Sequence, residues 1–243
     1  MPFTSRLPDP STASLFLDFD GTLVDIAPTP DSIIVPADLP DLLHMLSERL
    51  EGRLALVSGR AIASLERHLP AFQGLIVGGH GAELRAPGGA VRRLAGSARV
   101  VAAAQEWATC AAEGRHGVLV ELKQTGAAVH FRQGPKEGPA ILAQAREFVA
   151  GQSELAVQEA HLSVELRPKG ATKDRAVRTL MQEPAFRDTR PVFAGDDKTD
   201  VPAMGYCQDN NGIAISLGGA MERADIAVGS PASLRVLLED WIA

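Results

Sequence analysis

A chain of 243 residues, 45% of them hydrophobic, has enough material for one large core and a smaller second one. A net charge of -6 with no offsetting basic run argues against a nucleic-acid partner. Two isolated cysteines, Cys110 and Cys207, argue against a disulfide framework or a cysteine zinc site. Met1 to Pro10 lacks the apolar stretch of a secretory signal, and no run approaches transmembrane length. The expectation is a soluble, cytoplasmic monomer without a membrane partner, with a loose leader before Ser14.

The first strong element is Leu15 to Phe19, a short apolar run ended by Gly21 that reads as a buried parallel strand. A proline-punctuated loop follows. Leucines 39, 42, 43, 46 and 50 then recur at helical spacing, with Asp38 near the start. Arg53 to Val57 is a second strand stopped by Ser58-Gly59, Ala61 to Leu69 a second helix, and Leu75 to Val77 a third strand. This alternation predicts a parallel sheet with helices on both faces. After Gly81 the rhythm changes. Ala82 to Arg85 and Ala90 to Leu94 flank Pro87-Gly88-Gly89 as a hairpin, and a helix spans Ala98 to Ala112. Two more strand pairs follow, Gly117 to Lys123 with Ala127 to Arg132, and Leu155 to Gln158 with Leu162 to Leu166. A helix from Glu137 to Val149 stands between them. Alternation resumes after Pro168, with a helix from Lys173 to Met181, strands Pro191 to Ala194 and Gly212 to Ile215, and a closing amphipathic helix from Ser233 to Trp241. The fold class is therefore α/β: a doubly wound, Rossmann-like core of residues 1–83 and 168–243, interrupted by an α+β insert of residues 84–167.

Ligands of such sheets bind beyond the carboxyl ends of the strands, and four segments there carry chemistry. Asp18-Phe19-Asp20-Gly21-Thr22 ends the first strand, and alternation in an extended strand would point both carboxylates the same way. Two such groups repel unless a cation intervenes, and oxygen ligands suit Mg2+. Ser58-Gly59-Arg60 offers a hydroxyl and a helix start to an anion, although Ser58 equally suits the cap of that helix. Lys173 opposes the macrodipole of its own helix, which an anion would offset; Lys169 is an alternative, and either also reads as a solvated surface charge. Gly195-Asp196-Asp197-Lys198-Thr199-Asp200 gathers three carboxylates after a buried strand, which a metal explains better than surface decoration. His44, His68, His116 and His161 show no metal spacing and read as structural.

In this order the segments resemble the four motifs of the haloacid dehalogenase superfamily. The resemblance implies that Asp18 is the nucleophile and forms an aspartyl-phosphate, while Asp20 protonates the leaving alkoxide and then activates water. It implies that Mg2+ is held by Asp18, the Asp20 carbonyl and Asp196, with Asp197 or Asp200 in support. Thr22, Ser58, Gly59, Arg60 and Lys173 would hold the phosphoryl group.

Further segments resemble the trehalose-6-phosphate phosphatases: Gly21 to Pro28, Gly79 to Glu83, Glu121-Leu122-Lys123, His130 to Gln133, and Val164 to Gly170. Together they cover nearly the whole chain from Ser14. Family members often carry an acid after the last motif aspartate, where Val201 stands here. The resemblance implies a small sugar phosphate as substrate. Glu121, Lys123 and Glu165 of the cap would read the glucose that lacks phosphate, with His130 and Arg132 as further candidates. Read as isolated residues, these last two suit a solvated face or a local ion pair. His80, between glycines, suits either an active-site edge or a turn. Phosphatases of sucrose 6-phosphate or mannosylglycerate phosphate share this core and cap class, and a sensor that binds sugar phosphate without turnover is the remaining alternative.

Overall fold

The computed structural model describes residues 3–160, 162–219 and 221–243, in two compact units. The first joins the chain up to Arg92 with Thr172–Ala243, and the second is Arg93–Ala171. In chain order the structure runs β1 (Ala13–Leu17), α1 (Leu39–Arg49), β2 (Leu54–Val57), α2 (Ile62–His68), β3 (Leu75–Gly78), β4 (Glu83–Arg85) and β5 (Arg92–Arg93). The second unit holds α3 (Ala98–Ala112), β6 (Leu119–Lys123), β7 (Gly126–His130), α4 (Gly138–Ala150), β8 (Leu155–Ala160) and β9 (Ser163–Pro168). The chain returns through α5 (Lys173–Leu180), β10 (Arg190–Gly195), α6 (Val201–Asp209), β11 (Ile213–Leu217), β12 (Ile226–Val228) and α7 (Pro231–Ile242).

The first unit is built on a sheet ordered β12-β11-β10-β1-β2-β3-β4-β5. From β12 to β3 the strands run parallel, and β4 turns back antiparallel along β3. Strand order reverses at β1, which pairs with β10 on one side and β2 on the other. That is the switch point where the connections diverge to opposite faces and leave a crevice at the carboxyl ends. Alternation along the strands feeds two cores. Leu15, Leu17, Leu54, Leu56 and Ile76 pack against α1, α2 and α7, whereas Phe16, Ala55, Val57 and Phe193 pack against α5 and α6. Strands buried on both faces must be apolar throughout, which is why they appear in the sequence as uninterrupted hydrophobic runs.

Four elements differ from the sequence-based expectation. The first strand stops at Leu17, so strand alternation does not govern Asp18 and Asp20. The segment expected to open the inserted hairpin instead supplies β4 to the core sheet, where Gly78 pairs with Glu83 and Ile76 with Arg85. The two units accordingly divide nearer Arg92 and Ala171 than 83 and 167. Helix α6 and strand β12 had no clear signature: α6 begins Val201-Pro202 without an amphipathic repeat, and β12 is three residues long.

The second unit is a four-stranded antiparallel sheet, β6-β7-β9-β8, with α3 and α4 on one face. Val129, Val164 and Leu166 meet Ala104, Trp107, Ile141 and Ala145 in its core. The period of two along these strands leaves the opposite face to polar residues. Among the described residues no helix is long and apolar enough to cross a membrane.

Candidate active site

The carboxyl ends of β1, β2 and β10 bring four sequence segments together. Leu17 is in register with both Ala194 and Leu56, so Asp18, Ser58 and Asp196 leave the sheet at nearly the same level. The Asp18 N–H continues the ladder by donating to the Ala194 carbonyl at 3.0 Å. Gly21 then turns the chain at φ 73, and a Cβ there would collide with the Asp196 carboxylate. Glycine serves this position twice, by its backbone conformation and by the room it leaves for a neighbouring charge.

Lys173, in the first turn of α5, is 3% exposed and lies 2.8 Å from Asp18 Oδ1 and 2.7 Å from Asp200 Oδ1. The competing Lys169 is exposed. Asp200 stands at the start of α6, and its second oxygen accepts the N–H groups of Asp196 and Asp197, both at 3.1 Å. It is therefore a buried strut between α5 and the Asp196 loop. Asp18, Asp196 and Asp200 present carboxylate oxygens that all lie within 4.8 Å of one another. Burial holds the Asp18 and Asp196 carboxyls up at about 6, with Lys173 opposing the shift at both. Asp200 is pushed to about 7 by burial and by the charge of Asp18. The Lys173 ammonium is driven well above its ordinary value by its two carboxylates, which outweigh the cost of its burial.

Charge decides what this cluster can hold. One ammonium against three carboxylates leaves two negative charges in a buried pocket, and a divalent cation would neutralise them. An all-oxygen donor set suits magnesium, which keeps water and phosphate oxygens in its remaining positions. The residues present therefore fit the ion.

The other candidates are placed differently. Asp20 does not join the cluster: its two oxygens accept from Arg60 Nε at 2.6 Å and Nη2 at 2.7 Å, a bidentate pair. Asp18 and Asp20 thus face separate cations, because β1 ends before either of them. Asp197 spends one carboxylate oxygen on Thr199, accepting its N–H at 2.7 Å and its hydroxyl as well, and those bonds hold its carboxyl below the usual range. Thr22 is fully buried, its hydroxyl 3.4 Å from Asp18 Oδ2. Ser58 is buried, and its Oγ accepts the Arg60 N–H at 3.2 Å, which closes the loop around Gly59. The first N–H of α2 is met instead by the buried Glu83, which accepts from Ile62 at 3.1 Å. Sequence reasoning gave Glu83 no part in the site, and only its place in the Gly79–Glu83 segment could have marked it.

In the second unit, Glu121, Lys123, His130 and Glu165 share the sheet face opposite α3 and α4. Lys123 Nζ bonds Glu165 Oε2 at 2.6 Å, and His130 Nε2 lies 2.9 Å from Glu121 Oε2. Ala128 separates Glu121 from Glu165 in register, so the small residue leaves a floor between charged walls. Arg167 lies on the same face, and its Nε and Nη1 are buried without a hydrogen-bond partner. Arg132 falls beyond the end of β7 and is exposed. His44 is on the outer face of α1, 3.5 Å from Glu48; His161 lies outside the described residues.

Comparison with known proteins gives a consistent set of matches. Residues 16–217 match the trehalose-phosphatase family. A probable trehalose-phosphate phosphatase of Sinorhizobium fredii is 36% identical over 233 residues, spanning 92% of this chain and 84% of that protein. The trehalose-6-phosphate phosphatase of Escherichia coli is 30% identical over 224 residues, spanning 89% and 82%. Among solved structures, a trehalose-6-phosphate phosphatase related protein superposes with a TM-score of 0.76 at 25% identity, covering 94% of this chain and 96% of that one.

Proposed function

Because the chain belongs to the trehalose-phosphatase family, we propose that it hydrolyses trehalose 6-phosphate to trehalose and inorganic phosphate, with the phosphoryl group carried transiently on Asp18. The observation that carries the mechanism is the buried Asp18 carboxylate held on Lys173 at the switch point of the sheet. An adjacent ammonium opposes protonation of the buried carboxylate and aims it, as a nucleophile requires.

Asp18 attacks phosphorus, and the bond from phosphorus to the sugar oxygen breaks. The departing alkoxide takes a proton from Asp20. Water then attacks phosphorus and gives a proton back to Asp20, and the bond from phosphorus to Asp18 breaks. Asp20 is held by Arg60 before substrate arrives. To deliver a proton it must leave Arg60 and take one up from solvent, and the phosphoryl group is the anion to which the guanidinium transfers. Ser58, the Gly59 amide and Lys173 complete the set of donors around the phosphoryl oxygens. Asp18, Asp196 and Asp200 would hold the magnesium ion, which supplies charge neutralisation between the nucleophile and the phosphoryl group.

The second unit serves as the sugar reader in this proposal. Glu121, Lys123 and Glu165 offer acceptors and a donor to the hydroxyls of the glucose that lacks phosphate. The test is phosphate release from trehalose 6-phosphate with and without chelator. Turnover that disappears on chelation and returns with magnesium supports the assignment, and full activity in excess chelator refutes it.

A further inference from the structure

The turn between β3 and β4 grips the phosphate-facing segments of the first unit without carrying any of the chemistry. The His80 N–H donates to the Ser58 carbonyl at 2.9 Å and the Gly79 N–H to the Arg60 carbonyl at 2.8 Å, so two consecutive residues hold both ends of Ser58–Arg60. Glu83 binds the N–H of Ile62 just beyond that loop. On the other side, a Cβ at Gly81 would stand 2.6 Å from the carbonyl of Thr172, the residue before Lys173. His80 itself adopts φ 57, ψ 22, a left-handed conformation uncommon for a residue with a side chain. Such a conformation persists where the surroundings over-determine it.

The imidazole explains a second feature. It lies across Gly59, where an added Cβ would stand 2.5 Å from Cε1 and 2.6 Å from Nε2. Position 59 is glycine because the ring occupies the space that a side chain would need.

We propose that His80 is a positioning residue of the phosphoryl pocket, its ring on Gly59 and its N–H on Ser58 holding the Ser58–Arg60 loop in its anion-binding shape. The proposal rests on the phosphatase reading and deepens it. Loosening the loop weakens every ligand that carries the phosphoryl group. His80→Ala therefore raises the KM for trehalose 6-phosphate and the inhibition constant of inorganic phosphate together, by about tenfold. The magnesium concentration for half activity stays unchanged, because the three carboxylates are held from β1, β10 and α6. His80→Asn tolerates the left-handed backbone but lacks the ring, and should fall between parent and alanine. Gly59→Ala drives the ring away from the opposite side and should weaken phosphate inhibition to a similar degree.

The experiment measures trehalose 6-phosphate kinetics, inhibition by inorganic phosphate and melting temperature for the parent and these variants. A parent inert toward the substrate sinks the phosphatase reading itself. With an active parent, a folded His80→Ala whose phosphate inhibition is unchanged overturns the proposal, even if it melts earlier. If His80→Ala does not fold, His80→Asn decides: phosphate inhibition weakened at least about threefold supports the proposal, and unchanged inhibition overturns it.

Discussion

Replacing Lys173 by methionine keeps most of the side-chain volume and removes the ammonium that contacts both Asp18 and Asp200. The Lys173 side chain is 3% exposed and those of its partners 6% and 0%, so water cannot take over from it. Breaking a buried ion pair by deleting one partner costs about 3–5 kcal/mol, because the other charge is left uncompensated. That is a large share of the total stability of a folded domain. The cost depends on pH. The Asp18 and Asp200 carboxyls sit at about 6 and about 7 in the folded protein, above the unfolded carboxylate range. Their protonation therefore favours the folded state in acid, and that contribution is lost as pH rises through 6 and 7. Without Lys173 both rise further, so the loss across that window is greater in the variant. Urea denaturation in chelator at pH 5 and pH 8 should show a deficit that grows with pH, reaching about 3–5 kcal/mol at pH 8, and magnesium should recover part of it. A deficit below about 1 kcal/mol at pH 8, the scale of an exposed pair, or one that is the same at both pH values, would refute the reasoning.

Asp18→Asn removes the proposed nucleophile together with one of three crowded carboxylates. Turnover should fall by roughly several powers of ten while the metal-free protein melts at the same temperature or higher, as activity assays and thermal denaturation would show. Alanine at Glu121, Lys123 or Glu165 should lower kcat/KM on trehalose 6-phosphate by about 1–3 kcal/mol and leave a small aryl phosphate nearly unaffected. Since Lys123 and Glu165 already share a hydrogen bond, their double variant should lose less than the sum of the singles. Equal loss on both substrates would assign these residues to structural support instead.

The parallel core was legible because its strands are buried on both faces and so form short apolar runs ended by glycine or an acid. The carboxylate cluster was legible for a related reason: a strand end is where charge can first appear in such a sheet. What the sequence did not show are the partners each charge takes. Asp196, Asp197 and Asp200 look alike in one hexapeptide, but the turn buries Asp200 as a strut for two N–H groups and gives Asp197 to Thr199. Asp18 and Asp20 look like a pair, and only the strand end at Leu17 and the turn at Gly21 separate them. The β3–β4 turn hid its role because its contacts with Ser58, Arg60 and Thr172 are made across long stretches of chain, and a local pattern cannot encode them.

The central claim is that the site hydrolyses a disaccharide phosphate read by the second unit. Steady-state kcat/KM for trehalose 6-phosphate, glucose 6-phosphate and sucrose 6-phosphate, measured on one preparation with magnesium, tests it directly. Trehalose 6-phosphate should lead by at least about a hundredfold, since a site built on hydroxyl-directed polar groups rejects sugars that leave them unpaired. Equal or faster turnover of glucose 6-phosphate or sucrose 6-phosphate would contradict it.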